Sequence, residues 1–258
     1  MKIVVCVKYV PDATAERSFS ADTTVDRVGV DGVLSELDEY AVEAALQIRE
    51  AGDAEVTIVT VGPEQARTAI LKSLQMGADA GVHVVDDAIH GSDALATSLV
   101  LAKVLQRTEF DLVLCGMAST DGSMSVVPAM LAERLGLPQV TFASEVSWDG
   151  TTVRARRDGD GATETIEATL PLVLSVTDQA NEPRYPSFKG IMAAKKKPVE
   201  TLTVDDLGLT VGDVGLSAAW TTVESFDARP PRSAGTVVID DGTGADQLVE
   251  FLAAGKFI

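Results

Sequence analysis

Three runs of apolar, largely β-branched residues, Lys2 to Val7, Val56 to Val61 and Leu112 to Cys115, constrain this chain more than any other feature. Each is continuous rather than alternating, the pattern of a strand buried on both faces. Helical stripes lie between them. Leu37, Tyr40, Ala41, Ala44, Ala45 and Ile48 recur at helical spacing, with Ser35 or Asp38 as first-turn residues and Gly52 as the stop. Gly62-Pro63 then turns the chain into a second helix whose Ala66, Ala69, Ile70, Ser73 and Leu74 face inward. A third strand spans Gly81 to Val85, and a helix over about Asp93 to Arg107 leads back to Leu112. Strands alternating with helices of this length predict an α/β fold, doubly wound, with a mainly parallel sheet. Ligands of such sheets lie beyond the carboxyl ends of the strands, so Cys6 to Lys8, Val61 to Pro63 and Cys115 to Ser125 are expected around one crevice.

The stretch from Asp111 to Pro138 carries the strongest candidate site. It reads as strand, loop and helix: Gly116 to Ser125 is rich in small and hydroxyl residues, and Val127, Met130, Leu131 and Leu135 recur at helical spacing before Gly136. Unpaired N–H groups at a helix N-terminus attract anions. A phosphate above Gly122 to Val126 would satisfy them, with Ser119, Thr120, Ser123 and Ser125 adding hydroxyl donors. The loop contains no lysine and no Gly-x-Gly-x-x-Gly, so it is neither a Walker A cradle nor a dinucleotide fingerprint. From these residues alone, an ordinary strand-to-helix connection reads equally well.

Beyond Pro138 the pattern changes. Ser144 to Trp148, the turn dipeptide Asp149-Gly150 and Thr151 to Arg157 predict a hairpin, and Glu164 to Thr169 and Leu172 to Val176 continue as strands, so antiparallel strands join the sheet. Thr177 to Lys197 suits neither helix nor core strand until Ile191. Little pattern follows from Pro198 to Gly242; then Ala245, Leu248, Val249 and Leu252 form a short amphipathic helix, with Thr243 and Asp246 placed like a capping pair. Two parts are therefore expected: residues 1–197 as the α/β body that carries the candidate anion site, and 198–258 as an arm lying on something else.

Charge and cysteine content narrow the function. With 21 Lys and Arg against 39 Asp and Glu the formal charge is -18, so a nucleic-acid polymer is repelled. Cys6 and Cys115 are the two cysteines, too few for a disulfide framework, which points to a reducing, cytoplasmic setting. Met1 leads straight into a strand, so no signal peptide is expected, and no run is long enough to insert in a bilayer. His83 and His90 are the two histidines, and no Cys or His spacing suits a metal. Asp121 is the one acid of the crevice loop, read as an Asx-turn or helix cap rather than a base, so no catalytic residue is assigned. Lys195 to Lys197 reads as a solvated run or as a complement to an acidic partner. Phe188, between Pro186 and Gly190, has no periodic partners and suits an exposed anchor.

Taken together, several segments resemble the β (small) subunit family of electron transfer flavoproteins. They are Val5-Cys-Val-Lys-Tyr-Val-Pro-Asp12, Glu39-Tyr-Ala-Val-Glu-Ala-Ala45, Leu74-Gln-Met-Gly-Ala-Asp79 with Val82-His-Val84, and, most specifically, Asn181-Glu-Pro-Arg-Tyr185 followed by Ile191-Met-Ala-Ala-Lys-Lys-Lys197. The resemblance covers nearly the whole chain. It implies an adenine-nucleotide-hydrolase-like α/β fold and an electron-carrier subunit without a catalytic site of its own. It further implies AMP bound in this chain in a structural role, and a heterodimer with an FAD-binding α subunit. By position, the AMP contacts fall on Cys6, Ser35, Glu36, Leu37, Asp38, Val61, Gly116, Met117, Ala118, Ser119, Thr120, Asp121, Gly122, Ser123, Met124, Ser125, Val126 and Val127.

The family's recognition loop falls on Thr177 to Val199, with Glu182, Arg184, Tyr185, Phe188, Ile191, Met192, Lys195, Lys196 and Lys197 as partner-binding residues. Phe188 stands where the family usually has leucine. Implied partners are acyl-CoA and related dehydrogenases as donors and a membrane quinone oxidoreductase as acceptor, towards the respiratory chain. Arg156 and Arg157 occupy a strand where many members carry an acidic residue. Electron-bifurcating relatives, which hold a second FAD in the same crevice, tend to show Thr and Gln after Asp-Gly, where this chain has Met124 and Val126. Two other readings fit less well. An ATP pyrophosphatase needs Ser-Gly-Gly-x-Asp-Ser where Lys8 to Asp12 stands, and a universal stress protein needs a Gly-x-x-Gly that Ser119 breaks after Gly116.

Overall fold

The computed structural model describes residues 1–15, 17–227, 230–231 and 235–258. It divides into two units, 1–224 and 225–258, taken here in turn. In the first unit the apolar runs become β1 (Lys2–Cys6), β4 (Glu55–Val61) and β6 (Leu112–Gly116), and Tyr9–Pro11 and Gly32–Leu34 form a small antiparallel ribbon, β2 and β3. The helices α1 (Glu36–Ala51), α2 (Arg67–Met76), α3 (Ala94–Arg107) and α4 (Val127–Leu135) alternate with them, and β5 (Ala80–Val84) lies between α2 and α3. Later come β7 (Gln139–Trp148), β8 (Thr152–Asp158), β9 (Thr163–Thr169), β10 (Leu172–Val176), α5 (Phe188–Ala194), β11 (Val199–Leu202) and α6 (Gly215–Ala218).

Among the described residues, nine strands form one sheet in the order β11-β5-β4-β1-β6-β10-β7-β8-β9. The pairings from β11 to β7 are parallel, and β7-β8 and β8-β9 are antiparallel. Because side chains alternate along a strand, Ile3 and Val5 of β1 join a core with α1 and α2 on one face, whereas Val4 and Cys6 join a core with α3 and α4 on the other. From β1 the chain steps outward to β4 and β5, then returns through α3 to β6 on the opposite side of β1. The order of winding therefore reverses between β1 and β6. That is where an open α/β sheet leaves a crevice at its carboxyl edge.

The predicted hairpin is present: Asp149 Oδ1 accepts the N–H groups of Thr151 (3.2 Å) and Thr152 (2.9 Å), and Gly150 has φ +106°, which favours glycine. The polar stretch before β3 is an excursion that returns through the β2-β3 ribbon. Two expectations need correction. The region after Pro198 is more regular than its sequence suggests, since β11 pairs with β5 and Leu202, Val204, Leu207, Leu209 and Val214 are buried in the α3 and α4 core. The first unit therefore continues to Glu224 and takes in residues beyond 197. In the second unit, α7 (Gly244–Ala254) forms, but Thr243 makes no capping bond. Its hydroxyl donates to Asp241 (2.7 Å) and accepts from Gln247 (2.9 Å), so the pairing with Asp246 is not made.

Candidate functional site

Cys6 and Cys115 are register partners at the ends of β1 and β6, both buried at the reversal point. A hydrogen bond with Cys6, and then burial, push the Cys115 thiol well above its ordinary pKa, so it is held neutral and poorly nucleophilic. The N-terminus of α1 closes against these strand ends. The N–H of Ser35 donates to the carbonyl of Lys8 (2.9 Å), and Asp38 accepts the N–H of Lys8 (2.8 Å). Gly116 is required here, because a Cβ would stand 2.5 Å from Asp38 Oδ1 and 2.6 Å from the Leu37 carbonyl. Burial raises the Asp38 pKa to about 7, against backbone N–H groups of Lys8 and Gly116 that favour the carboxylate. Ser35 is fully buried, and its hydroxyl oxygen has no hydrogen-bond partner. A buried, unsatisfied hydroxyl at a crevice edge is the kind of group that a ligand completes.

The loop after β6 supplies the other wall. Its first turn is closed internally: Gly122 N–H donates to Ser119 Oγ (3.2 Å) and Asp121 Oδ1 (2.7 Å), and Ser123 N–H to the Ser119 carbonyl (3.0 Å). Ser123 and Ser125 take positive φ, 52° and 58°, which is uncommon for residues with a Cβ. Pro128 lies in the first turn of α4, where its missing N–H costs nothing. The N–H groups of Ser125, Val126 and Val127 find no acceptor among the described residues. Three adjacent donors at a helix N-terminus are groups with which an anion can hydrogen-bond. Gly116 and Met117 to Asp121 are at least partly buried, Gly122 to Met124 are exposed, and Val61 ends β4 half-buried. Glu36 is exposed beside the half-buried Leu37.

Lysine does reach this loop, from a distance in sequence that the motif reading missed. Lys8 donates to Asp121 (2.9 Å) and Ser119 (3.4 Å), and Arg27 pairs with the second oxygen of Asp121. Asp121 is therefore the buried hub of a charge cluster, not the cap of α4. Its Asx-like bond to Gly122 is present beside the ion pairs. Burial opposes its ionisation, but Lys8 and Arg27 outweigh that and hold it well below the usual carboxylate range.

The segment after β10 forms a tethered knob. Its helix begins earlier than expected, at Phe188, because Ser187 accepts the Gly190 N–H (3.0 Å) as an N-cap. Gly190 lets α5 lie on the end of α2, since a Cβ there would meet the Gln75 carbonyl at 2.3 Å. Two of the residues assigned to partner binding are engaged within the chain. Arg184 holds Glu43 through Nε (2.7 Å) and Nη2 (2.9 Å) and also pairs with Glu50. Lys197 donates to the carbonyls of Leu74 (3.0 Å), Gly77 (3.1 Å) and Ala78 (2.5 Å) at the α2 C-terminus. Tyr185 and Phe188 are 95% and 81% exposed, and Glu182, Ile191, Met192, Lys195 and Lys196 are exposed with them. On β8, Arg156 pairs with Glu145 and Asp158, and Arg157 with Glu164.

The electron transfer flavoprotein domain model matches residues 22–207. The electron transfer flavoprotein subunit beta of Mycobacterium tuberculosis (strain ATCC 25618 / H37Rv) is 48% identical over 263 residues, 99% of each chain. The chain belongs to the electron transfer flavoprotein β-subunit family. Subunits beta of Bacillus subtilis (strain 168), 36% identical over 98% of this chain and 96% of the relative, and of Megasphaera elsdenii, 34% identical over 100% of both, are similar along their length as well. As a member of the electron transfer flavoprotein β-subunit family, the chain is an electron-transfer subunit. Among its described residues no helix is long and apolar enough to cross a membrane, and no group of three or more His, Cys, Asp or Glu residues could hold a metal.

Proposed function

We propose that the crevice between β1 and β6 binds AMP in a structural role, and that the chain pairs with an FAD-binding α subunit and docks dehydrogenases through the α5 knob. The observation that carries the nucleotide reading is the pairing of two unmet needs across one crevice: the free N–H groups of Ser125 to Val127 and the buried, unpartnered hydroxyl of Ser35. An adenine nucleotide supplies a phosphate for the first and a polar ribose or base edge for the second. FAD, held mainly by the partner, supplies the redox chemistry; this chain orients and docks. The donors are acyl-CoA and related dehydrogenases, as in fatty acid oxidation, and a membrane quinone oxidoreductase is the acceptor, the carrier itself remaining in the cytoplasm.

Docking by α5 is supported by its rigidity together with its exposed apolar residues. Large side chains left in solvent on a firmly tethered element suit an anchor that enters a partner's pocket. Residues 225–258 are assigned to the contact with the α subunit, because α7 has no buried residue. Denaturing the purified complex and counting released flavin and nucleotide tests the proposal. One AMP and one FAD per heterodimer is the expected result. Two FAD and no AMP would select the bifurcating alternative, and no nucleotide would refute the crevice assignment.

A further inference from the structure

Residues 17–27 form a small hairpin that belongs to neither core. The Asp26 N–H donates to the Ser18 carbonyl (3.0 Å), the Ser20 N–H to the Thr24 carbonyl (2.8 Å), and Phe19 bridges Val25. Polar contacts hold the hairpin at both ends. At its base Arg17 donates to the carbonyls of Thr120 (2.6 Å) and Asp121 (3.5 Å), and Arg27 donates to the Asp121 carboxylate, which Lys8 also holds. At its tip Asp22 meets His90 Nε2 at 2.7 Å, and the Thr23 hydroxyl donates to the Val223 carbonyl (3.0 Å). Asp121 lies in the connection from β6 to α4, and His90 in the connection from β5 to α3. Both connections leave the carboxyl ends of their strands, and β1 and β4 stand between β6 and β5 in the sheet. The hairpin therefore runs across the carboxyl ends of β1 and β4. Its length suits that span: three strand spacings from β6 to β5 come to about 14 Å, and extended chain from Arg17 to Asp22 reaches about 17 Å.

We infer that residues 17–27 are a strap over the nucleotide crevice, hinged at Asp121 and latched at His90, and that bound nucleotide leaves when the latched end lifts; this gate rests on the nucleotide reading above and deepens it. The two ends differ in strength. The Asp121 side chain is 2% exposed and its carboxylate holds two cations, so breaking that end strands a buried charge. The side chains of Asp22 and His90 are 37% and 56% exposed, and an exposed pair adds little. With no core residue in the strap, its tip opens locally at small cost while its base stays pinned. An acid buried beside an anion site is thereby accounted for: its carboxylate fixes the strap and does not meet the ligand.

The full chain, in complex with the proposed FAD-binding subunit, is loaded with radiolabelled AMP, and release is followed by filter binding during a chase with excess unlabelled AMP. His90→Ala, remote in the fold from the β6 to α4 connection, is expected to release AMP about threefold faster at an unchanged melting temperature. The double variant Asp22→Cys/His90→Cys, joined by a short bis-maleimide, is expected to release it about tenfold more slowly than the same variant left unjoined. Wild type treated with the reagent controls for Cys6 and Cys115, which are buried. Asp121→Asn tests the hinge by its sign, because loss of the pin speeds release, whereas loss of a charge that merely opposed the phosphate slows it. Slower release from Asp121→Asn overturns the hinge; if that variant does not fold, the joined strap decides. A joined strap that releases AMP at the unjoined rate, or His90→Ala at the wild-type rate, overturns the gate while leaving the nucleotide reading intact. A wild type that takes up no AMP overturns the nucleotide reading, and the gate with it.

Discussion

Asp38 couples the stability of the folded chain to pH. Its folded-state pKa is about 7 against an ordinary value of 3.8, so between these values the folded chain holds a proton that the unfolded chain has lost. Below about pH 4 both states are protonated and no penalty arises. As pH rises from about 4 to about 7, folding must take up that proton, so stability falls by on the order of 4 kcal/mol from this group and then levels off. Asn mimics the protonated acid in size and neutrality. Asp38→Asn is therefore predicted to gain stability relative to wild type as pH rises from 5 to 8, in thermal melts of nucleotide-free protein at each pH. A difference in melting temperature that stays constant over that range would mean that Asp38 is ionised throughout. The same residue shows where sequence reading stops. Its place in the first turn of α1 was legible from the helical stripe, but its burial comes from β6, 78 positions away by Gly116 numbering, whose glycine lets the two elements close.

At the scale of elements, α5 separates two kinds of residue that its sequence presents side by side. Phe188→Ala removes an exposed side chain, so the melting temperature should not move. Truncating an interface anchor typically costs about 2 kcal/mol or more, roughly thirtyfold in affinity. A steady-state assay with an acyl-CoA dehydrogenase over a range of carrier concentrations should show that loss, and an unchanged apparent affinity would refute the anchor. Arg184→Ala behaves oppositely: it strands Glu43, which is 4% exposed, and losing one partner of a buried pair costs about 3–5 kcal/mol. Melting should fall by several degrees, at roughly 2–4 °C per kcal/mol, before any assay with a partner is run. The strands β1, β4 and β6 and the helices between them were readable because continuous apolar runs and 3.6-residue stripes are local signals. The Ser187 cap was obscured by the prolines around it. The edge strand β11 has only four residues, Glu200 and Thr201 among them exposed, and gives no periodic signal of its own. Lys8 and Asp121 lie 113 positions apart, so no local motif could reveal that pair.

For the whole molecule, the division after Glu224 predicts two different outcomes for two truncations. A chain ending at Glu224 should fold with nearly wild-type far-UV circular dichroism and melting temperature, yet fail to co-purify with the proposed FAD-binding subunit. A chain ending at Lys197 loses β11 and the buried Leu202, Val204, Leu207, Leu209 and Val214, each worth about 1.5–3 kcal/mol of burial for its larger side chains, and should not fold stably. Normal heterodimer assembly by the longer truncation would remove the assigned role of residues 225–258. Those residues also bear on how the protein is made. Val237, Ile239, Phe251 and Phe257 are 87%, 86%, 63% and 71% exposed, a display of apolar surface that invites aggregation when it is left uncovered. A newly synthesised copy without a companion is thus a substrate for chaperones and proteases. Removal of this chain when it exceeds its proposed partner follows from the chemistry of that segment without any dedicated regulator.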